Sequence, residues 1–97
     1  MPLFVTLGNF TPQGYQTIKD APKRAEAFKA QAAKAGIKVK ELLYLQGEYD
    51  IMTVIEAPDE ESLAALALGV GKLGNVNGKT LRAFTLAEFK KIVEQVP

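Results

Sequence analysis

Residues 3–10 (LFVTLGNF) are apolar on both alternations of the chain, and β-branched and aromatic types among them predict a strand. Thr11-Pro12 then supplies an N-cap followed by proline at the first helical position, so a short helix is expected to about Lys19. Pro22 predicts a break at Asp20-Ala21, because a proline ring removes a hydrogen bond and clashes inside a helix. Beyond it Ala25, Phe28 and Ala32 recur at helical spacing and define a helix that Gly36 closes.

Residues 37–46 begin polar and end in Leu42-Leu43-Tyr44-Leu45, a second predicted strand. The turn-like Gly47-Glu48-Tyr49-Asp50 makes residues 51–57 (IMTVIEA) the returning arm of a hairpin. Asp59, Glu60 and Glu61 stand in the first turn of a following helix, where its dipole favours acids. That helix is apolar on nearly every side and is expected to be deeply buried as far as Leu73, with Gly74 as its cap. Residues 76–84 form a fourth predicted strand, with a bulge or a bent start expected at Asn77-Gly78. Thr85-Leu86-Ala87-Glu88 is a capping box flanked by Phe84 and Phe89 as a hydrophobic staple. It opens a last helix to about Val96, with Phe89, Ile92, Val93 and Val96 facing inward.

The order strand, helix, strand, strand, helix, strand repeats one unit twice and adds a C-terminal helix. This is the split βαβ pattern of an α+β, ferredoxin-like sandwich, expected to occupy residues 1–97 as one domain. The predicted sheet is antiparallel with strand order 4-1-3-2 and both crossover helices on one face. One sheet face is then left uncovered. Assigning Leu3, Val5 and Leu7 to the helix side leaves Phe4, Thr6, Gly8 and Phe10 opposite, joined by Leu42, Tyr44 and Gln46 and by Thr80, Arg82 and Phe84. Such an aromatic, mixed face is too apolar to stay wet, so a homodimer packed sheet to sheet into a dimeric α/β barrel is expected. Thr6, Tyr44 and Arg82 would be the polar groups of a small-molecule pocket within it.

Composition narrows the chemistry. The 97 residues include neither cysteine nor histidine, which removes thiolate nucleophiles, disulfides, imidazole bases and the usual zinc and haem ligands. No cofactor and no metal are expected. Twelve basic and eleven acidic residues leave a net charge of +1, giving no bulk attraction to nucleic acid or an anionic membrane. Lys19, Lys23, Arg24, Lys29, Lys34, Lys38 and Lys40 lack interleaved stacking aromatics and read as a solvated face rather than an RNA site. The N-terminus has no leader pattern and no apolar run spans a bilayer, so a cytoplasmic protein is expected.

Tyr49 and Asp50 are the candidate donor and acceptor for catalysis at a pocket mouth. The alternative for the same residues is a turn in which Asp50 caps the backbone and Tyr49 packs on the sheet edge. Arg82 needs a carboxylate if buried, and Asp50 or Glu48, expected at the same end of the sheet, would supply it.

Tyr44-x-x-Gly47-x-Tyr49-Asp50 closely resembles the signature of the GYD-domain family. The Ile18-Lys19-Asp20-x-Pro22-Lys23-Arg24 segment, Glu56-Ala57-Pro58-Asp59, Gly74-Asn75-Val76 and Thr80-Leu81-Arg82-Ala83-Phe84 extend that likeness over nearly the whole chain. The resemblance implies a dimeric α/β-barrel assembly and carries no established activity. The expected function is therefore a homodimeric small-molecule-binding or accessory protein. The alternative is a cofactor-independent monooxygenase or isomerase acting on a small aromatic or carbonyl compound, with Tyr49 and Asp50 moving protons and Arg82 holding an anionic group.

Overall fold

The computed structural model describes residues 1–97. Its elements are β1 (Leu3–Phe10), α1 (Pro12–Gln16), a 3-10 turn (Ile18–Asp20), α2 (Ala21–Lys34), β2 (Lys38–Tyr44), β3 (Ile51–Glu56), α3 (Glu60–Lys72), β4 (Val76–Ala83) and α4 (Leu86–Glu94). The expected caps form these boundaries. The Thr11 side chain accepts from the Gly14 amide with Pro12 in the first turn, and Asp59 accepts from the Ser62 amide. Thr85 and Glu88 make a complete capping box. The break before Pro22 falls where the ring requires it, and α2 and α3 each end just before a left-handed glycine, Gly36 and Gly74.

The four strands form an open antiparallel sheet of order β2-β3-β1-β4. Its mixed α+β architecture is the expected one. The bulge expected at Asn77-Gly78 is absent, since β4 pairs in regular register with Gly8 facing Gly78. A register shift lies instead between Val39 and Glu41 in β2.

The assignment of sheet faces is reversed. Phe4 and Ile55 are buried in a core with Ala32, Ile37, Ala57, Leu63 and Leu66, so Phe4, Thr6, Gly8 and Phe10 form the row beneath the helices. Leu3, Val5 and Leu7 belong to the open face, with Met52 and Val54 of β3, Leu43 of β2 and Leu81 of β4. The physical reason is steric. Phe4 packs with Leu63 and Leu66 of α3 in the core, while Gly8 sits against Val76 and Asn77 of β4. The open face thus carries an aliphatic patch at its centre, bordered by Lys38, Glu41 and Glu56 on one side and by Lys79 and Asn77 on the other.

Two helices are more exposed than expected. In α3 only Leu63 and Leu66 are buried, and Leu68 is 75% exposed. In α4 the apolar stripe does not face inward: Phe89 is 53% and Val93 50% exposed, and Leu86 and Val96 are more exposed still. No helix is long and apolar enough to cross a membrane.

Candidate functional site

The residues after β2 organise the polar end of the molecule. Gly47 adopts φ 127°, a conformation that suits glycine, and brings the chain round to Asp50. The Leu45 amide donates to the Asp50 carbonyl at 2.7 Å and the Asp50 amide to the Gly8 carbonyl at 2.9 Å, which closes the hairpin against β1. One carboxylate oxygen of Asp50, Oδ2, then accepts from the Phe10 amide at 2.9 Å, the Tyr15 hydroxyl at 3.0 Å and Asn9 Nδ2 at 3.4 Å. Asn9 also donates to the Glu48 carbonyl at 2.9 Å.

Those donors set the electrostatics. The Phe10 amide, above all, holds the Asp50 carboxyl below its ordinary value of 3.8, aided by Tyr15 and Asn9. The bond to Asp50 pushes the Tyr15 phenol above its ordinary value of 10.0. A general base at neutral pH needs the opposite shift. The Asp50 carboxylate is ionised, satisfied and fixed between two elements of the fold.

The same end is clamped from the other side. The Thr11 hydroxyl donates to the Gly74 carbonyl at 2.5 Å and the Thr11 amide to the Asn75 carbonyl at 3.0 Å. Gln13 Nε2 reaches the Leu73 carbonyl at 2.9 Å and Asn75 Oδ1 at 3.1 Å. Gly14 is buried against this loop so tightly that a Cβ would stand 2.1 Å from the Asn75 carbonyl oxygen. The Arg24 guanidinium donates to the Thr17 carbonyl at 2.9 Å. Tyr15 is the member of this cluster that sequence reasoning missed. Its signal lay in register: Ile51 pairs with Gly8, so Asp50 must face the end of β1 and the first turn of α1.

The remaining candidates separate. Tyr49 lies on the open-face side, with Lys79 Nζ 5.9 Å from its ring centre, beside a shallow pocket of about 110 Å³ lined also by Leu7, Asn9 and Asn77. Asp50 turns the other way, toward Tyr15, so the two do not act on one substrate atom. Thr6 pairs hydroxyl to hydroxyl with buried Thr53 under the helices. Tyr44 donates to the Ala21 carbonyl at 3.3 Å and stacks on Phe10 with ring centres 6.3 Å apart. Thr6 and Tyr44 therefore sit between sheet and helices rather than on the open face.

Arg82 is exposed, with its guanidinium 4.5 Å from the Phe84 ring centre and 5.5 Å from that of Phe4. It donates to the carbonyls of Leu3 and Ala83 and has no carboxylate partner. The expected pairing with Asp50 or Glu48 fails for a topological reason. β3 and β4 are both antiparallel to β1, hence parallel to each other, so the end of β4 lies beside the end of β3. Arg82 faces Phe4 while Asp50 adjoins Gly8 and Asn9, about 15 Å away along the strand.

Arg82 does line a different feature. α3 leaves the helix side of β4 partly uncovered, opening a cleft of about 500 Å³ bounded by Phe4, Leu63, Leu68 and Thr80, with Glu60 and Arg82 as its charged groups. No group of three or more acidic side chains is placed to hold a metal ion. The polar end is a structural lock, and the features left without a partner are apolar: the open sheet face, the α3/β4 cleft and the stripe of α4.

The chain is 29% identical over 89 residues to a Thermus thermophilus protein named glutamine synthetase and cystathionine beta-lyase binding protein, covering 91% of this chain and 94% of that one. The GYD domain matches residues 4–93. With that match spanning nearly the whole sequence, the chain belongs to the GYD domain family.

Proposed function

We propose that this protein is an accessory binding protein that works as a homodimer, pairing open sheet face to open sheet face into an α/β barrel, and that it binds a metabolic enzyme without chemistry of its own. The observation that carries this reading is the aliphatic open face of Leu3, Val5, Leu7, Leu43, Met52, Val54 and Leu81, which a monomer leaves in water. The name of the Thermus thermophilus relative supports the enzyme-binding part and suggests glutamine synthetase and cystathionine beta-lyase as the first partners to try. The reading treats residues 1–97 as one domain resident in the cytoplasm. Biolayer interferometry of the immobilised protein against those two enzymes from its own source tests it. Saturable binding to either supports the reading; no binding to both at tens of micromolar contradicts the choice of partner.

A second reading rests on the α3/β4 cleft. Its apolar walls suit a small apolar body, and the Arg82 guanidinium, at the β4 side away from Glu60 of α3, would take a carboxylate on it, held without turnover. The cofactor-independent enzyme has less support, because Tyr49 and Asp50 face different ways and Asp50 is held ionised. Native mass spectrometry of freshly purified protein distinguishes these: a bound carboxylate lost in Arg82→Ala favours the cleft as a ligand site.

A further inference from the structure

The C-terminal helix is built as an amphipathic arm with nothing of its own to hold. Its stripe of Leu86, Phe89, Ile92, Val93 and Val96 recurs at helical spacing, while Lys90, Lys91 and Glu94 lie on the other side. Phe89 and Val93 are about half exposed, and the helix makes no extensive packing against the sheet, α2 or α3. Nine residues are too few for a helix to persist in water, since isolated helices shorter than about 12–15 residues are marginal even in favourable sequences. The start of α4 is nonetheless fixed by a full capping box. Such a segment is stable when its apolar stripe is buried on another surface.

From this we infer that α4 packs its stripe of Phe89, Ile92 and Val93 against a second copy of the chain, each copy clasping the other, and that the homodimer is incomplete without this contact. The inference rests on the homodimer proposed above and adds the element that secures it. Area argues for a second copy as the occupant. Four strands of about seven residues present a flat footprint of about 440 Å². Lys38, Glu41, Glu56 and Lys79 take up part of that face, so its apolar patch is smaller than the footprint, while stable complexes bury roughly 1,200–2,000 Å² of accessible surface in all. Continuity argues for it as well. α4 follows β4 after only Phe84 and Thr85, and Leu81 of β4 is already on the open face. A twofold pairing therefore brings two arms to one interface and buries both stripes. The net charge of +1 gives the copies little mutual repulsion.

The experiment is native mass spectrometry and sedimentation of the full-length wild type and of Phe89→Glu/Val93→Glu, with circular dichroism as the control for folding. Because Phe89 and Val93 are about half exposed and lie outside the core, the variant is expected to keep its fold while the dimer dissociates at least about 100-fold more readily. A second measurement uses the absence of cysteine: Val93→Cys carrying a benzophenone label is irradiated in a mixture of light and heavy-isotope chains. Light-to-heavy cross-links support the clasp, and cross-links confined to one chain overturn it. A double variant that dimerises as tightly as wild type also overturns the clasp while leaving the sheet-to-sheet dimer standing. A wild type that is monomeric removes the homodimer itself.

Discussion

Tyr15 and Asp50, thirty-five positions apart, meet through a 3.0 Å hydrogen bond that ties the first turn of α1 to the end of the β2–β3 hairpin. The same carboxylate oxygen accepts from the Phe10 amide at 2.9 Å, so one side chain fixes a strand end, a helix and a turn together. This gives the tyrosine and aspartate at the polar end a structural part, holding three elements of the fold together.

Asp50→Asn is expected to lower the thermal midpoint by several degrees at pH 7, because an amide accepts less strongly from Phe10 and Tyr15. The pH dependence has a definite sign. With the folded value depressed, the carboxylate's contribution is fully present above its ordinary value of 3.8 and is lost as pH falls through the lower folded value. Thermal melts from pH 7 to pH 2 should bring wild type and variant together at the acid end; a constant gap would contradict the assignment.

For Tyr15 the sign runs in the alkaline direction. A phenol raised above 10.0 contributes stability that is present below that value and lost as pH rises through the folded value. Ultraviolet titration of phenolate in wild type and Tyr15→Phe should show that the missing chromophore is the late-ionising one among the three tyrosines.

Gly14→Ala forces a methyl group to within 2.1 Å of the Asn75 carbonyl oxygen, so the α3–β4 loop must move. A destabilisation of about 1–3 kcal/mol, the usual cost of overpacking, is expected in urea unfolding. A neutral result would mean that the loop yields freely.

The reversed sheet faces give a paired test. Phe4→Ala empties the core between β1 and α3 and should cost about 3–5 kcal/mol. Leu81→Lys on the open face should leave the monomer's unfolding nearly unchanged and abolish association, read together by urea titration and sedimentation.

The boundaries of the fold were legible because they are set by local chemistry: Thr11-Pro12, Gly36, Gly74 and the Thr85–Glu88 box each satisfy a helix end by themselves. The facing of β1 was not, because Leu3, Val5 and Leu7 are as apolar as Phe4 and Phe10. A period of two then separates two rows without saying which one the helices cover. Asp50 was visible as a residue that holds backbone, but the amide it takes is that of Phe10 in β1 rather than one of its own turn, and Tyr15 was not visible at all, since both partners are chosen by strand register rather than by spacing. The inward packing expected of α4 failed for a related reason. A helical stripe announces that it will be buried, and its spacing does not name the chain that buries it.

The account stands most directly on the mass of the native wild-type particle. Native mass spectrometry at low micromolar concentration should give about 21 kDa, twice the 10.5 kDa of one chain, if the open faces pair as proposed. A single species at 10.5 kDa persisting to tens of micromolar would contradict it.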